Sequence, residues 1–286
     1  KGKLHVNSGS ATADLSGKAC NANTIHWAYD TWMLANGTGK AIVKSGGNTW
    51  FFLTADYAFG HALERDTEAV VTKNGGRVVG KVRTPFPTQD FSSFLLQAQA
   101  SKAKIIGLAN AGGDTTNSIK QAAEFGITKG GQNLAGLLVF LPDVHSLGLN
   151  IAQGLMLTET FYWDLNDNTR AFSKRFAAAQ GGKMPSMVQA GVYSSVIHYL
   201  KAVDAAKTDD GTKVAAKMKE LPTDDPIFGK GSVRPDGRKI HPAYLFEVKK
   251  PAESKGPYDY YKLVATIPAN EAFRPLAESE CPLVKK

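Results

Sequence analysis

The stretch "ADYAFG", residues 55–60, follows an apolar run and opens a helical pattern, with Asp56, Tyr57 and Phe59 crowded into the turn. An acid beside two rings can serve as a general base at a substrate, or as flat walls and a polar handle for a molecule that is only bound. Two later turns repeat the mixture. "NAGGD" carries Asn110, Ala111, Gly112 and Asp114, and "FLPDVH" carries Phe140. An α/β enzyme would use Asp56 or Asp114 as its base. A binding protein would use Tyr57, Phe59 and Phe140 as walls and Asn110 and Asp114 to orient the ligand.

The motifs of catalysis fail one by one. "GTGKA" has a Gly-Lys pair, but Leu34 stands where a phosphate-binding loop needs its first glycine and Ala41 where it needs Ser or Thr. "NAGGDTT" lacks the G-x-G-x-x-G register, although a helix start there can receive an anion through backbone N–H groups. There is no G-x-S-x-G or H-E-x-x-H, and the six histidines are dispersed. His61 directly follows the "ADYAFG" turn, and no nucleophile accompanies it. The sequence therefore reads as a non-enzyme with no cofactor and no metal site.

Lys and Arg exceed Asp and Glu by 34 to 26, giving +8. The cations are interspersed with acids, as in "HALERDTEAVVTK", which describes a solvated basic surface and not a nucleic-acid stripe. No apolar run reaches the roughly 20 residues of a membrane span. The opening "KGKLHVNSGS" is not a signal peptide, so a secreted protein would already have lost its own. Cys20 and Cys281 have neither metal nor redox spacing. They are two unrelated buried thiols or one disulfide tying the tail "ESECPLVKK" to an early loop in an oxidising compartment, the second being favoured.

The elements that must position these turns alternate from residue 48 to 160. "TWFFLTA" is an apolar strand, "HALERDTEAVVTKNG" a helix closed by Gly75, and "RVVGKVRTP" a strand. "DFSSFLLQAQASKA" is a helix capped by Asp90 or Ser92, followed by the strand "KIIGLAN", the helix "DTTNSIKQAAEFG" and the strand "NLAGLLVF". Apolar strands separated by helices imply a doubly wound parallel sheet, whose ligands bind outside the carboxyl ends of the strands. After "GLMLTETFYWD" the pattern turns helical over "NTRAFSKRFAAAQ", "MVQAGVYSSVIHYLKAVDAAK" and "GTKVAAKMKEL", and "RPDGRK" centres a hairpin within 227–248. The first 47 residues, including one helix "TWMLANGTGKAIVKSG", are too few for a lobe and are expected to pack on the helical 165–225 region. The expected division is 1–47 with 163–245 as lobe 1, and 48–162 with 246–286 as lobe 2, the C-terminal tail returning towards lobe 1.

"TADYAFG", "DFSSFLLQAQASKAKIIGLANAGGDTTNSIKQAAEFG", "QGLMLTETFYWD" and "AGVYSSVIHYLKAV" together resemble the periplasmic solute-binding proteins of ABC importers. The resemblance is to the branched-chain amino-acid (Leu/Ile/Val) binding type, and within it to members that take up aromatic acids. It implies an α/β, type I periplasmic-binding fold, two doubly wound parallel-sheet lobes around a cleft. Matching "NSGSATADLS" on its "ADLS" end places Gly9, Ser10 and Ala11, with Thr12 adjacent, at the ligand, their backbone N–H groups and hydroxyls holding a carboxylate. The other lobe would contribute Phe59, Ala111 and Phe140, and Val188 would form a side wall of lobe 1.

This chain departs from the amino-acid binders in two places. "LVFLP" has no charge until Asp143 where they carry an acid for the ligand ammonium, and small Ala111 replaces a tyrosine. Both favour a ring-bearing carboxylate, because a buried unpaired ammonium is costly. Family members also extend further at the N-terminus, which implies an incomplete lobe 1: either the chain is a shortened one, or a second chain completes the lobe. The expected function is a periplasmic receptor that passes a small, aromatic carboxylate to a membrane permease. The alternatives are branched-chain amino-acid binding, or a ligand-sensing domain of the same fold.

Overall fold

Thr49–Ala55 is buried at every position but the first, so both its faces must be covered. In the computed structural model, which describes residues 2–285, it is one of the two inner strands of a four-stranded parallel sheet. The strand order is Arg77–Thr84, Thr49–Ala55, Ile105–Ala109, Asn133–Gly136. Arg77–Thr84, at one edge, alternates exposed and half-buried positions as an edge strand should. Three helices, Ala58–Lys73, Ser92–Ala100 and Gly113–Glu124, make the crossovers. The N-cap of the second is Phe91, not the expected Asp90 or Ser92, and no side chain caps it; Asp90, one residue earlier, accepts from the Ser92 N–H (2.9 Å) and hydroxyl (2.6 Å). The strand expected over "NLAGLLVF" ends at Gly136, and the chain beyond it turns into the short helix Leu141–Leu147.

The chain divides into two compact units. Unit 1 comprises 1–30, 159–243 and 267–286, and unit 2 comprises 31–158 and 244–266. Two long stretches depart from the expected boundaries, alongside small shifts at 159–162 and 244–245. Residues 31–47 belong to unit 2, because Thr31–Lys44 lies on Ala58–Lys73 within that unit. Met33, Leu34 and Ala35 are fully buried there, and the Thr31 hydroxyl donates to Asp66 (2.6 Å). The expected single helix is interrupted by a π-helical turn over Ala35–Gly39, flanked by Thr31–Leu34 and Lys40–Lys44. At the other end, residues 267–286 belong to unit 1. A three-stranded sheet ordered Tyr261–Ile267, Ala243–Val248, Met156–Glu159 lies almost wholly in unit 2 and carries the chain to the unit boundaries.

Unit 1 pairs His5–Asn7 with Thr24–His26 in parallel, His5 opposite Thr24. It carries the helices Asp167–Ala179, Met187–Ala206 and Gly211–Glu220. The expected hairpin is present as Gly229–Val233 antiparallel to Lys239–Ile240, extended by Thr223–Asp225. Its core is polar as well as apolar. Trp27 donates its indole N–H to Ser194 Oγ (2.8 Å), and Ser194 donates to Asp225 (2.8 Å). Arg238, fully buried, donates to the Tyr29 and Trp27 carbonyls (3.1 Å each), pairs with Asp30 at 3.4 Å and lies 4.0 Å above the Phe273 ring. The two carbonyl acceptors, the Asp30 charge and the ring face offset the cost of burying this guanidinium, whose Nε makes no hydrogen bond. Cys20 and Cys281 form a disulfide with Cα atoms 5.6 Å apart, closing unit 1 on itself across 261 residues of sequence.

Candidate functional site

In unit 2 the chain leaves Thr49–Ala55 for one side of the sheet and returns on the other, so the winding reverses between that strand and Ile105–Ala109. The two strands run side by side with Thr54 opposite Ala109. The turns that leave their carboxyl ends are therefore neighbours, and this is the topological position at which open α/β sheets take ligands. One turn is Asp56–Phe59, the other Asn110–Gly112. A separate groove of about 440 Å³, lined by Ile42, Ile105, Leu134, Ile151, Leu155 and Met156 among others, opens at the amino ends of the strands. None of the sequence-predicted residues lies in it.

The first turn is tight because Gly60 lets the helix start against the strand it has just left. A Cβ at Gly60 would stand 2.1 Å from the Ala55 carbonyl oxygen and 3.1 Å from that of Ala109. Tyr57 precedes the helix in extended conformation, half-buried, with its ring stacked on Phe86 (centroids 4.3 Å, 21°) and 5.7 Å from Phe59. Phe59 is half-buried and Phe86 exposed. The result is three neighbouring rings, each partly exposed. Phe86 was not anticipated from sequence: it lies in the "TPFPTQD" loop after a different strand, and only the sheet brings that loop to Tyr57.

The second turn divides its residues between structure and surface. Asn110 is fully buried, accepts from the Thr115 hydroxyl (2.7 Å) and donates to Ser118 Oγ (3.3 Å), so its amide is committed to shaping the helix start. Gly112 sits at φ +57°, a left-handed position that glycine adopts without strain. Ala111 is half-buried. Asp114, 4% exposed, accepts the Thr88 N–H on Oδ1 (3.2 Å), and its Oδ2 is buried with no hydrogen-bond partner. Burial raises the Asp114 pKa, and burial together with the Asp114 charge raises that of Tyr57. In the fourth turn of the sheet, half-buried Phe140 precedes Leu141–Leu147 and donates its N–H to Asp143 (2.8 Å), whose burial pushes its pKa up to about 6.

In unit 1 the loop after His5–Asn7 is organised by Asn7. Its side-chain carbonyl accepts from the Gly9 N–H (3.3 Å) and Ser10 N–H (2.9 Å), while its amide donates to the Ser10 carbonyl (2.6 Å). Tyr29 OH donates to the Gly9 carbonyl (2.7 Å). The backbone N–H groups of Gly9 and Ser10, expected to face a carboxylate, are thus already engaged within the loop. Ala11 is buried, and Thr12 Oγ1 accepts from the Asp14 N–H (3.3 Å) at the start of the 3-10 turn Ala13–Ser16. The hydroxyls of Ser10 and Thr12 remain as donors. Ser8, missed in the sequence, is buried with its hydroxyl unpartnered. Its side chain lies beside Gly191, where a Cβ would be 3.4 Å from Ser8 Cβ. Half-buried Val188 occupies the first turn of that same helix, whose Val188 N–H is capped by Ser186 (3.2 Å).

The chemistry available is recognition. His61 Nε2 lies 2.7 Å from Asp56 Oδ1, but both side chains are exposed and no hydroxyl or thiol among the described residues is hydrogen-bonded to that histidine. The pair braces the turn and lacks a nucleophile to activate. No cluster of three or more His, Cys, Asp or Glu among the described residues could hold a metal. No helix among the described residues is long and apolar enough to cross a membrane.

Comparison with known proteins agrees with the fold. The sequence model of a family described as "Periplasmic binding protein" matches residues 1–257. A periplasmic binding protein from Burkholderia mallei is similar over 99% of this chain and 75% of its own, at 56% identity and a TM-score of 0.96. A branched-chain amino-acid ABC transporter periplasmic ligand-binding protein from Burkholderia xenovorans shares 42% identity over 99% of this chain and 75% of its own, with a TM-score of 0.87. The Leu/Ile/Val-binding protein homolog 6 of Brucella melitensis is 25% identical over 79% of this chain. The chain spans 59% of the length of that curated relative.

Proposed function

The chain belongs to the periplasmic binding protein family, and from that premise we propose that it is part of a periplasmic receptor that binds a small aromatic carboxylate and delivers it to the permease of an ABC importer. It binds and releases its ligand without changing a covalent bond. Delivery then depends on different affinities in two conformations of the receptor.

The observation that carries the aromatic reading is the run of rings Phe59, Tyr57 and Phe86 at the switch point of the unit 2 sheet. Partly exposed rings favour a flat apolar body, through offset stacking worth about 0.5–1.5 kcal/mol per ring pair beyond area burial. Ala111, small and half-buried at the neighbouring turn, leaves room for such a body. Taken by itself, the unit 1 loop offers the hydroxyls of Ser8, Ser10 and Thr12, donors of the kind a carboxylate needs.

A second reading, branched-chain amino-acid binding, draws on the 42%-identical Burkholderia xenovorans protein. A thermal-shift series with benzoate, hydroxybenzoates, leucine, isoleucine and valine separates the two, because a ligand that binds only the native state raises the melting temperature as its concentration rises. The aromatic reading expects shifts with the benzoates. A response to the aliphatic amino acids alone would replace it with the second reading.

A further inference from the structure

We infer that Asp114 is a specificity determinant for a hydroxyl group on the ligand, so that the solute is a hydroxylated aromatic carboxylate and not the plain acid. The inference rests on the reading of an aromatic carboxylate given above. It starts from an unbalanced hydrogen-bond account. Buried side-chain oxygens nearly always have a partner, and those without one mark strain or a group still to arrive. Asp114 is 4% exposed, one oxygen takes the Thr88 N–H at 3.2 Å, and the other takes nothing.

Its position makes the free oxygen relevant to the ligand. Asp114 stands in the first turn of Gly113–Glu124, directly after the switch-point turn. Its charge is felt by the hydroxyl of Tyr57, the central ring of the Phe59, Tyr57, Phe86 series. A ring stacked there would carry a substituent into the neighbourhood of the carboxylate.

The chemistry of the substituent follows from counting donors. A hydroxyl brings one hydrogen, and the single open oxygen of Asp114 receives it. An ammonium brings three. The side-chain acceptors of this turn are otherwise occupied, Asn110 Oδ1 by Thr115 and Asp114 Oδ1 by Thr88, so the remaining hydrogens would face rings. A plain aromatic acid brings none, and would bury the oxygen more deeply still with nothing in exchange. A site built around an acceptor discriminates strongly against the analogue that lacks the donor.

Isothermal titration of the chain with benzoate and with 2-, 3- and 4-hydroxybenzoate tests this directly. At least one hydroxybenzoate is expected to bind tenfold or more tightly than benzoate, an advantage of about tenfold being what one hydrogen bond to a charged group supplies. In Asp114→Asn, with folding verified by its melting curve, that preference is expected to collapse to within about threefold, hydroxybenzoate losing more than benzoate. Equal binding of benzoate and all three hydroxybenzoates by the unaltered chain would overturn the inference while leaving the aromatic reading intact. So would a preference that survives in Asp114→Asn. Binding of leucine, isoleucine or valine with no response to any benzoate would overturn both.

Discussion

Gly60 lies so close to the carbonyl of Ala55 that a Cβ on it would fall 2.1 Å from that oxygen. The overlap is with backbone, which no side-chain rotation relieves. Gly60→Ala is therefore expected to destabilise unit 2 by about 2–3 kcal/mol or more, the upper range for overpacking. Urea unfolding checks it, and a loss below about 0.5 kcal/mol, the range of an inconsequential surface change, would show that the helix start can shift.

Asn110 and Phe59 should part company on substitution. Asn110→Ala leaves Thr115 and Ser118 without their buried partner and is expected to cost about 1–3 kcal/mol of stability. Phe59→Ala removes a half-buried ring and is expected to lower ligand affinity about tenfold, with a smaller effect on unfolding. Paired melting and titration curves distinguish the two. A Phe59→Ala protein of unchanged affinity would remove that ring from the site.

Lys239 makes a pH prediction within unit 1. Its ammonium is buried without a hydrogen-bond partner, 5.3 Å from the Trp27 and Phe228 ring centroids. Burial pulls its pKa down to about 8, against the attraction of Asp225 and with the help of Arg238, and His198 and His241 feel its charge in turn. The unfolded chain holds this proton up to about 10.5, so between pH 8 and 10.5 it binds more protons than the folded one. This group's contribution to stability therefore rises with pH through that window, and below pH 8 the full penalty remains. Lys239→Met is expected to add up to about 3 kcal/mol at pH 7 and to remove the rise, as pH-dependent denaturation would reveal.

The Cys20–Cys281 disulfide closes a loop long enough that reduction is expected to cost unit 1 about 3–5 kcal/mol. Thiol titration of the denatured chain should find no free thiol before reduction and both cysteines after it. Two thiols without reductant would refute the pairing.

Much of the unit 2 framework was legible in sequence. "TWFFLTA" coincides with Thr49–Ala55, because a strand covered on both faces must be apolar throughout and its ends are marked by turn residues. The π turn at Ala35–Gly39 was not legible, since nothing in local periodicity distinguishes it from a regular helix. Nor was the allegiance of residues 31–47, which depends on Thr31 bonding to Asp66 of Ala58–Lys73 and on the burial of Met33. Asn110 was expected to greet a ligand and is instead buried under its own helix, because a polar side chain in a turn can satisfy backbone and neighbours as readily as a solute.

The amino-acid order by itself determined the strand and helix alternation, the three chemically rich turns, the scattered charge and the pair of cysteines. All of these follow from local pattern and composition. Which groups are spent and which stay open was decided only in three dimensions. Asn7 consumes the Gly9 and Ser10 amides, Phe86 arrives beside Tyr57 from another loop, and Asp114 keeps one oxygen free. A hydrogen bond or a ring stack is a condition on distance and direction, and sequence separation does not contain either.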